Sequence, residues 1–256
     1  LLPVLKQTLV DTCNTNGWAF MRDPSNHSQN YLRGKLRSLD INELTTAQLY
    51  DVARSAGMAR AALEETTNQW LSVHATPNFF GVIDIDLSAW KQLNDEQKRR
   101  TLIRTLLCVS GEDYAPRSAS LEKLIDNLCA QSAVNQTLSG CRIVMHGNTL
   151  HIYREEIGLP KPMPLQDGML WDNRFRLSVA PEMLNKDLMV APLGHHSRDA
   201  LEKMQLKQVA ACGAAYRATL PAIYRDQQLH SIPEFTDKTT SQHFANAIFL
   251  PKRFLI

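Results

Sequence analysis

The chain has 256 residues with 28 Lys and Arg against 26 Asp and Glu, so its formal net charge is only +2. It is 44% hydrophobic, has few prolines and glycines, and is long enough to bury a core, which excludes collagen-like and disordered classes. No run of about 18 apolar residues and no signal-peptide pattern occurs, so the sequence predicts no membrane association.

Helical periodicity dominates the first half of the chain. Helices are predicted over 1–17, 45–73, 95–109 and 118–130, with one short strand over 82–86. Capping boxes of Thr45 with Gln48 and of Asn94 with Gln97 open the second and third of these helices. Ser118 is the predicted N-cap of the fourth helix.

The pattern changes to alternation beyond residue 136. Residues 141–153 predict a hairpin with a two-residue loop at Gly147-Asn148, and a second hairpin is predicted around Asp172-Asn173. Three prolines between 160 and 164 mark an extended connection, and a helix is predicted near 197–212. The fold class expected is mixed α and β: a mainly helical domain followed by a small α+β domain with hairpins.

Three parts follow from these patterns. Residues 1–38 are expected to be the tail of something larger with a linker, 39–135 a helical domain, and 136–256 a small α+β domain. The chain begins at Leu1 rather than Met, so we expect it to be trimmed or a fragment.

Five cysteines are scattered singly and none has C-x-x-C spacing. The sequence therefore predicts no disulfide framework and no metal site, and it favours a reducing, cytoplasmic setting. The adjacent pair His195-His196 is a weak metal candidate because neighbouring residues of an extended chain point opposite ways.

The segment Ser110-Gly111-Glu112-Asp113 comes nearest to a phosphate loop, but its single glycine after a helix favours a helix-ending turn. Neither G-x-G-x-x-G nor G-x-S-x-G occurs. We therefore assign no catalytic residue and no ATP-binding residue within this chain.

Basic residues cluster twice in a nearly neutral chain. The first cluster follows Asp23-Pro24-Ser25-Asn26 and includes Arg33, Lys35 and Arg37. The second lies on the helix opened by Asn94 and comprises Lys98, Arg99, Arg100 and Arg104. Such a cluster is usually a solvated helix face, and the other interpretation is a patch that contacts nucleic-acid phosphates.

The segment from Trp18 through Asp23-Pro24-Ser25-Asn26 to Tyr31, Arg33 and Leu36-Arg37 resembles the W…D-P-S-N…R…L-R segment of the bacterial tRNA(Ile)-lysidine synthetases. Five further stretches resemble that family: 59–64, 97–104, the T-L-S-G-C-R-I stretch at 137–143 leading to Tyr153-Arg154-Glu155, the G-M-L-W-D-N-R-F stretch at 168–175, and 220–224 with Ile232-Pro233. The resemblance thus extends over nearly the whole chain.

The resemblance implies an ATP-dependent ligase that adenylates the wobble cytidine of the isoleucine tRNA with a CAU anticodon and joins free lysine to it, giving lysidine. That chemistry needs an S-G-G-x-D-S loop and Mg²⁺, and the loop is absent from these 256 residues. The resemblance therefore implies that the parent enzyme uses ATP, Mg²⁺ and lysine, and that this chain alone binds none of them and is inactive.

The resemblance further implies that Asp23, Ser25 and Asn26 shape the end of the nucleotide-binding domain. Candidate tRNA contacts are Arg33, Lys35, Arg37, Lys98, Arg99, Arg100 and Arg104. A different class of protein stays open: a non-catalytic RNA-binding or helical interaction module.

Overall fold

A computed structural model describes residues 4, 6–21, 46–131, 133–184, 187–203, 207–235 and 245–256. The chain divides into two units, Leu1–Ala62 and Leu63–Ile256. The first unit contains α1 (Lys6–Thr15) and the first part of α2 (Thr46–His74), which continues into the second unit. Both helices are predicted by the periodicity, whereas Thr45 of the predicted capping box lies outside the described residues.

The apolar stripe of α2 is buried only in the second unit. Within the first unit Val52 and Met58 are 62% and 65% exposed. In the second unit Thr67 and Leu71 are buried, and Leu71 belongs to a hydrophobic core. Among the described residues, the helix thus packs into a core only through its second half.

A five-stranded antiparallel sheet forms the centre of the first core, with strand order β1-β2-β5-β4-β3. Its strands are β1 (Ala75–Pro77), β2 (Ile83–Asp86), β3 (Asn135–Leu138), β4 (Cys141–His146) and β5 (Thr149–Arg154). His146 pairs with Thr149, which confirms the predicted two-residue loop at Gly147-Asn148. Alternate residues of the central strands are buried, so one face of the sheet packs inward.

Three helices follow β2 and cover that inner face: α3 (Leu87–Lys91), α4 (Asp95–Ser110) and α5 (Ser118–Ala130). The Asn94 side chain accepts the Gln97 backbone N–H at 2.9 Å, as the sequence predicts for the start of α4. Arg117, and not Ser118, occupies the N-cap of α5, and it makes no side-chain capping bond. Ser118 is instead the first helical residue.

The first core joins helices and strands from both sides of residue 136. Leu102 and Leu106 of α4 pack with Leu124 of α5 and with Ile143 and Ile152 of the sheet. Residue 136 itself lies within β3, which pairs with β4 in the same sheet. The packing therefore places no break there, and the three-part division 1–38, 39–135 and 136–256 stays a prediction.

Two four-stranded sheets make up the rest of the second unit, in the orders β11-β10-β9-β6 and β12-β13-β8-β7. Their strands are β6 (Met163–Pro164), β7 (Leu170–Trp171), β8 (Phe175–Val179), β9 (Met189–Pro192), β10 (Pro221–Arg225), β11 (Gln228–Ser231), β12 (Glu234–Phe235) and β13 (Ala245–Phe249). Trp171 pairs with Phe175, so the predicted second hairpin is confirmed, with a loop of three residues.

Short helices accompany these sheets: α6 (Arg198–Lys203), α7 (Lys207–Ala211) and α8 (Ala214–Arg217), together with a 3₁₀ turn at Pro181–Met183. Within the predicted helix near 197–212 the structure describes helix over Arg198–Lys203 and Lys207–Ala211, and residues 204–206 lie outside the described residues. A second hydrophobic core, with Trp171, Phe175 and Leu220 at its centre, lies between the sheets. The mixed α and β class is confirmed, and among the described residues no helix is long and apolar enough to span a membrane.

Candidate nucleic-acid interface

The first basic cluster cannot be placed. Asp23, Ser25, Asn26, Arg33, Lys35 and Arg37 all lie outside the described residues. Their assignment as motif residues and candidate tRNA contacts therefore stays a prediction.

The second cluster lies on α4, where Arg100 and Arg104 meet on one acidic residue. Arg100 Nη1 donates to Glu64 Oε1 at 2.6 Å, and its Nε donates to Glu96 Oε1 at the same distance. Arg104 Nη2 donates to the other oxygen of Glu64, and its Nη1 donates to Asn68 Oδ1 at 2.5 Å. Arg100 and Arg104 lie on successive turns of α4 and on the same face of the helix, because they are four residues apart. Both guanidinium groups therefore reach the same carboxylate of α2.

The other two members of the cluster are also engaged. Arg99 forms an ion pair with Glu122 of α5. Lys98 Nζ lies 5.9 Å from the centroid of the Trp90 ring, whose Nε1 donates to Thr101 Oγ1 at 3.1 Å. The basic residues of α4 are therefore neighbours, as their spacing predicts, but each has a partner.

The ion pairs reduce the positive charge that the basic residues of α4 present to solvent. The exposed fractions of the Arg99, Arg100 and Arg104 side chains are 32%, 22% and 25%, so the expectation that most of the cluster is freely solvated is wrong. Three of the four basic side chains pair with three glutamates, of which Glu64 lies on α2, Glu122 on α5 and Glu96 on α4 itself. A phosphate could replace a carboxylate here, because part-exposed ion pairs are each worth only about 0–1 kcal/mol.

A buried ionic cluster, which sequence reasoning missed, lies where β5 approaches the β7–β8 turn. Asp172 Oδ2 accepts from Arg174 Nε at 2.6 Å and from Arg154 Nε at 3.3 Å. The exposed fractions of these three side chains are 7% or less. Burial lowers the pKa of the Arg174 guanidinium, and the Asp172 carboxylate opposes that change.

Main-chain carbonyls accept further hydrogen bonds from both arginines of this cluster. Arg154 donates to the carbonyl oxygens of Gly140, Glu155, Ile157 and Gly158 at 3.0–3.1 Å. Arg174 Nη2 donates to Thr219 O at 2.9 Å. Since these donors are turned to the protein's own backbone, the two arginines tie β5 to the segment that follows it and to the β7–β8 turn.

The glycine of the segment 110–113 ends α4, as the sequence predicts. Gly111 has φ 71° and its N–H donates to Leu107 O at 3.1 Å. Its carbonyl accepts from Asn173 Nδ2 at 3.1 Å, and an added Cβ would lie 2.7 Å from Asn173 Cβ. This turn is therefore a packing contact with the β7–β8 loop, and the Asp113 carboxylate beside it pairs with Lys252 Nζ at 2.7 Å.

The buried cysteines are unsuited to nucleophilic chemistry. Burial raises the pKa of Cys108 to about 12, and it also raises that of Cys141, whose Sγ lies 3.4 Å from Leu106 O. All five cysteines are free thiols. Within the described ranges no group of three or more His, Cys, Asp or Glu side chains is placed to hold a metal ion.

Comparison with known proteins identifies relatives along most of the chain. A protein named tRNA(Ile)-lysidine synthase from Wolbachia pipientis wMel is 28% identical over 227 residues, covering 84% of this chain and 51% of the relative. Proteins of the same name from Rickettsia bellii and Methylobacterium nodulans are 25% and 30% identical over 98% and 65% of this chain.

The chain is a partial homologue of the tRNA(Ile)-lysidine synthases. It spans about half the length of the first relatives it matches, 51% and 49%. No protein-family model matches it.

Three of the stretches that resemble the lysidine synthases meet in space. Gly140, in the T-L-S-G-C-R-I stretch, gives its carbonyl to Arg154 of the Tyr153-Arg154-Glu155 stretch. Asp172 and Arg174, in the W-D-N-R-F stretch, complete the same buried cluster. In two of these stretches the sequence places the charged residues of the cluster beside aromatic residues, namely Tyr153-Arg154 and Trp171-Asp172-Asn173-Arg174-Phe175.

Proposed function

We propose that this chain is the tRNA-contacting portion of a tRNA(Ile)-lysidine synthetase. With ATP and lysine, the parent enzyme would convert the wobble cytidine of the CAU-anticodon isoleucine tRNA to lysidine. The observation that carries the proposal is the similarity to proteins named tRNA(Ile)-lysidine synthase, which covers 65–98% of the chain in the relatives described above. We place the reaction in the cytoplasm, without a membrane partner.

We assign the nucleotide chemistry to the parent enzyme and not to this chain. ATP, Mg²⁺ and lysine are proposed as requirements of the whole enzyme, because the S-G-G-x-D-S loop does not occur in these 256 residues. The chain alone is expected to form no lysidine when supplied with ATP, lysine and tRNA. Turnover by the purified chain would contradict this assignment.

The proposed phosphate contacts are Lys98, Arg99, Arg100 and Arg104, together with Arg33, Lys35 and Arg37. Phosphate contacts position a nucleic acid without reading its sequence. For Arg100 and Arg104 such a contact would require tRNA phosphate to displace Glu64, with which both are paired. The proposal thus describes an exchange of partners and not the filling of an empty basic patch.

Binding of tRNA tests this function directly. The purified chain should bind tRNA(Ile) with the CAU anticodon, and the logarithm of the binding constant should fall linearly with the logarithm of the salt concentration. A filter-binding titration at four salt concentrations measures both quantities. Absence of tRNA binding at the lowest salt concentration would overturn the proposal.

The alternative is a non-catalytic RNA-binding or helical interaction module. The exposed Val52 and Met58 on α2 favour a helical contact of that kind. The reading frame upstream of the Leu1 codon distinguishes the enzyme from the module. An in-frame sequence that encodes an S-G-G-x-D-S loop supports the enzyme, and a start codon close to Leu1 supports the module.

A further inference from the structure

A cleft lies between the outer face of the first sheet and α8. Its volume is about 390 Å³, within the range of roughly 300–1,000 Å³ typical of small-molecule sites. Asp84, His151 and Val144 stand opposite one another on β2, β5 and β4, so they form one row of its floor. The helices of the first core cover the other face of this sheet, and on the outer face the His151 side chain is 33% exposed, so part of the floor is open to a ligand.

Two tyrosines provide an aromatic wall. Tyr153 lies on the same face of β5 as His151, and its ring centroid is 5.6 Å from that of Tyr216 on α8, with the ring planes at 60°. Gly213 makes room for this arrangement, since an added Cβ would lie 2.8 Å from Tyr216 Cε1. Burial raises the pKa of both tyrosines, so their hydroxyl groups stay protonated at neutral pH.

One carboxylate sits among these rings. Asp84 Oδ1 lies 2.7 Å from His151 Nδ1, and the Asp84 side chain is 41% exposed. Its Oδ2 can accept a further hydrogen bond. The charge of Asp84 also contributes to the raised pKa of Tyr216, which places the carboxylate and that phenol in one electrostatic environment.

Aromatic rings beside an acceptor favour one ligand chemistry. A planar ring gains by stacking on tyrosine, and a carboxylate accepts from an exocyclic amine such as cytosine N4. A phosphate would be repelled by Asp84, and an aliphatic group would bury the carboxylate without giving it a donor. Uracil, which has an oxygen where cytosine has the amine, would place an acceptor against an acceptor.

We propose that this cleft binds an unpaired nucleobase that carries an exocyclic amino group. The base packs against Tyr153 and Tyr216 while its amine donates to Asp84. The ring could come from an unpaired nucleotide of RNA or from a free nucleotide, and the RNA source rests on the function proposed above.

Labelled oligocytidylate and oligouridylate of equal length test the cleft, because the two bases differ where Asp84 would read them. The whole chain should bind the cytidine oligomer more tightly in a fluorescence anisotropy titration. Tyr216→Leu should weaken that binding about tenfold, since the base no longer stacks on an aromatic side chain. Tyr114→Leu is the matched control, because Tyr114 is 86% exposed and lies outside the cleft, and it should change nothing.

Asp84→Asn tests recognition of the base itself. The amide can donate to uracil O4, so the preference for cytidine should disappear or reverse while oligouridylate binds at least as well as before. Asp126→Asn makes the same change of charge at an exposed position of α5 and should leave the preference intact. A purely structural Asp84 would not alter the ratio of the two affinities.

Cytidine monophosphate added as a competitor distinguishes the sources. Displacement of the oligomer by the monophosphate at similar concentrations indicates a free nucleotide, and lack of displacement indicates RNA. If tRNA binds the chain but oligocytidylate does not, or Tyr216→Leu has no effect, the cleft inference is wrong and the proposed function stands. If tRNA does not bind either, both fail.

Discussion

Asp172 carries the negative charge that two buried guanidinium groups share. Asp172→Asn should lower the free energy of unfolding by about 3–5 kcal/mol, because Arg154 and Arg174 would remain buried without a counter-charge. Asparagine tolerates the positive φ of 51° at this position, so the substitution isolates the charge from backbone strain. Urea denaturation followed by circular dichroism measures the change.

Asp126→Asn serves as the control for Asp172→Asn. Asp126 is exposed on α5, and its replacement should change the unfolding free energy by less than about 0.5 kcal/mol. Equal effects of the two substitutions would show that Asp172 does not hold the buried arginines.

Buried and exposed cysteines should differ strongly in their rate of alkylation. Cys108 and Cys141 should resist iodoacetamide at pH 8 in the folded chain, because burial raises the pKa of both thiols. Cys129 is exposed and should react first. Mass spectrometry of labelled peptides, with and without urea, measures the order, and equal labelling of Cys108 and Cys129 in the folded chain would contradict it.

The same raised pKa gives a direction for alkaline stability. The thiol of Cys108 ionises near its ordinary value of 9.0 in the unfolded chain but only at about 12 in the folded chain. The unfolded chain therefore holds fewer protons between these values, and this contribution to stability is complete below pH 9 and is lost as pH rises toward 12. The unfolding free energy of a Cys108→Ala variant should fall less over that range.

At the residue scale, spacing predicted neighbours within one element but not partners from another. Four-residue spacing on α4 brings Arg100 and Arg104 together, as the sequence predicts. Glu64 could not be identified as their shared partner, because it lies on a different helix and meets them only through packing. For the same reason Asp172 was predicted as a turn residue and not as a counter-ion.

At the element scale, α4 presents its arginines to α2 through Glu64. Glu64→Gln removes the charge that Arg100 and Arg104 share, so Arg104 keeps only the neutral Asn68 as partner and Arg100 keeps only Glu96. If tRNA replaces Glu64, the variant should bind tRNA more tightly, and its affinity should depend more steeply on salt. Filter binding across a salt series measures both.

Glu65→Gln is the matched control for Glu64→Gln, since it makes the same change on the adjacent, exposed residue of α2. Arg100→Ala with Arg104→Ala should have the opposite effect, flattening the salt dependence by about one unit for each phosphate that the variant no longer binds. If all these variants bind tRNA like the parent chain, this face of α4 does not contact tRNA.

Elements with strong periodicity and clear caps were predictable. The helix Asp95–Ser110 and the hairpin of β4 and β5 follow from local signals, namely the Asn94 cap and strict alternation around Gly147-Asn148. The sheet order was not predictable, because β2 pairs with β5 across more than sixty residues. The exposure of Val52 and Met58 on α2 was not predictable, because helical periodicity indicates a helix but not what packs against it.

At the scale of the whole molecule, the connection between the two cores offers a test of the predicted division. The segment between β5 and β6 is held by hydrogen bonds from the Arg154 side chain to its carbonyl oxygens, whereas β3 is hydrogen-bonded to β4 within a sheet. Limited proteolysis should therefore cut within 156–167 before 131–137 and before the helices. Arg154→Met should accelerate cutting within 156–167, and uniform resistance at both sites would count against separate units.

The hydrogen bonds of Arg154 to the segment between β5 and β6 determine which residues of that segment can be substituted. The guanidinium bonds to backbone oxygens of Glu155, Ile157 and Gly158 there, and every amino acid supplies that oxygen. Ile157 is 79% exposed, so we expect the amino acid at this position to differ among related sequences. Gly158, with φ 78°, should not, and an inserted residue should be rejected because it would shift the carbonyls out of reach. The segment is thus constrained in length and backbone conformation, whereas most of its side chains are not.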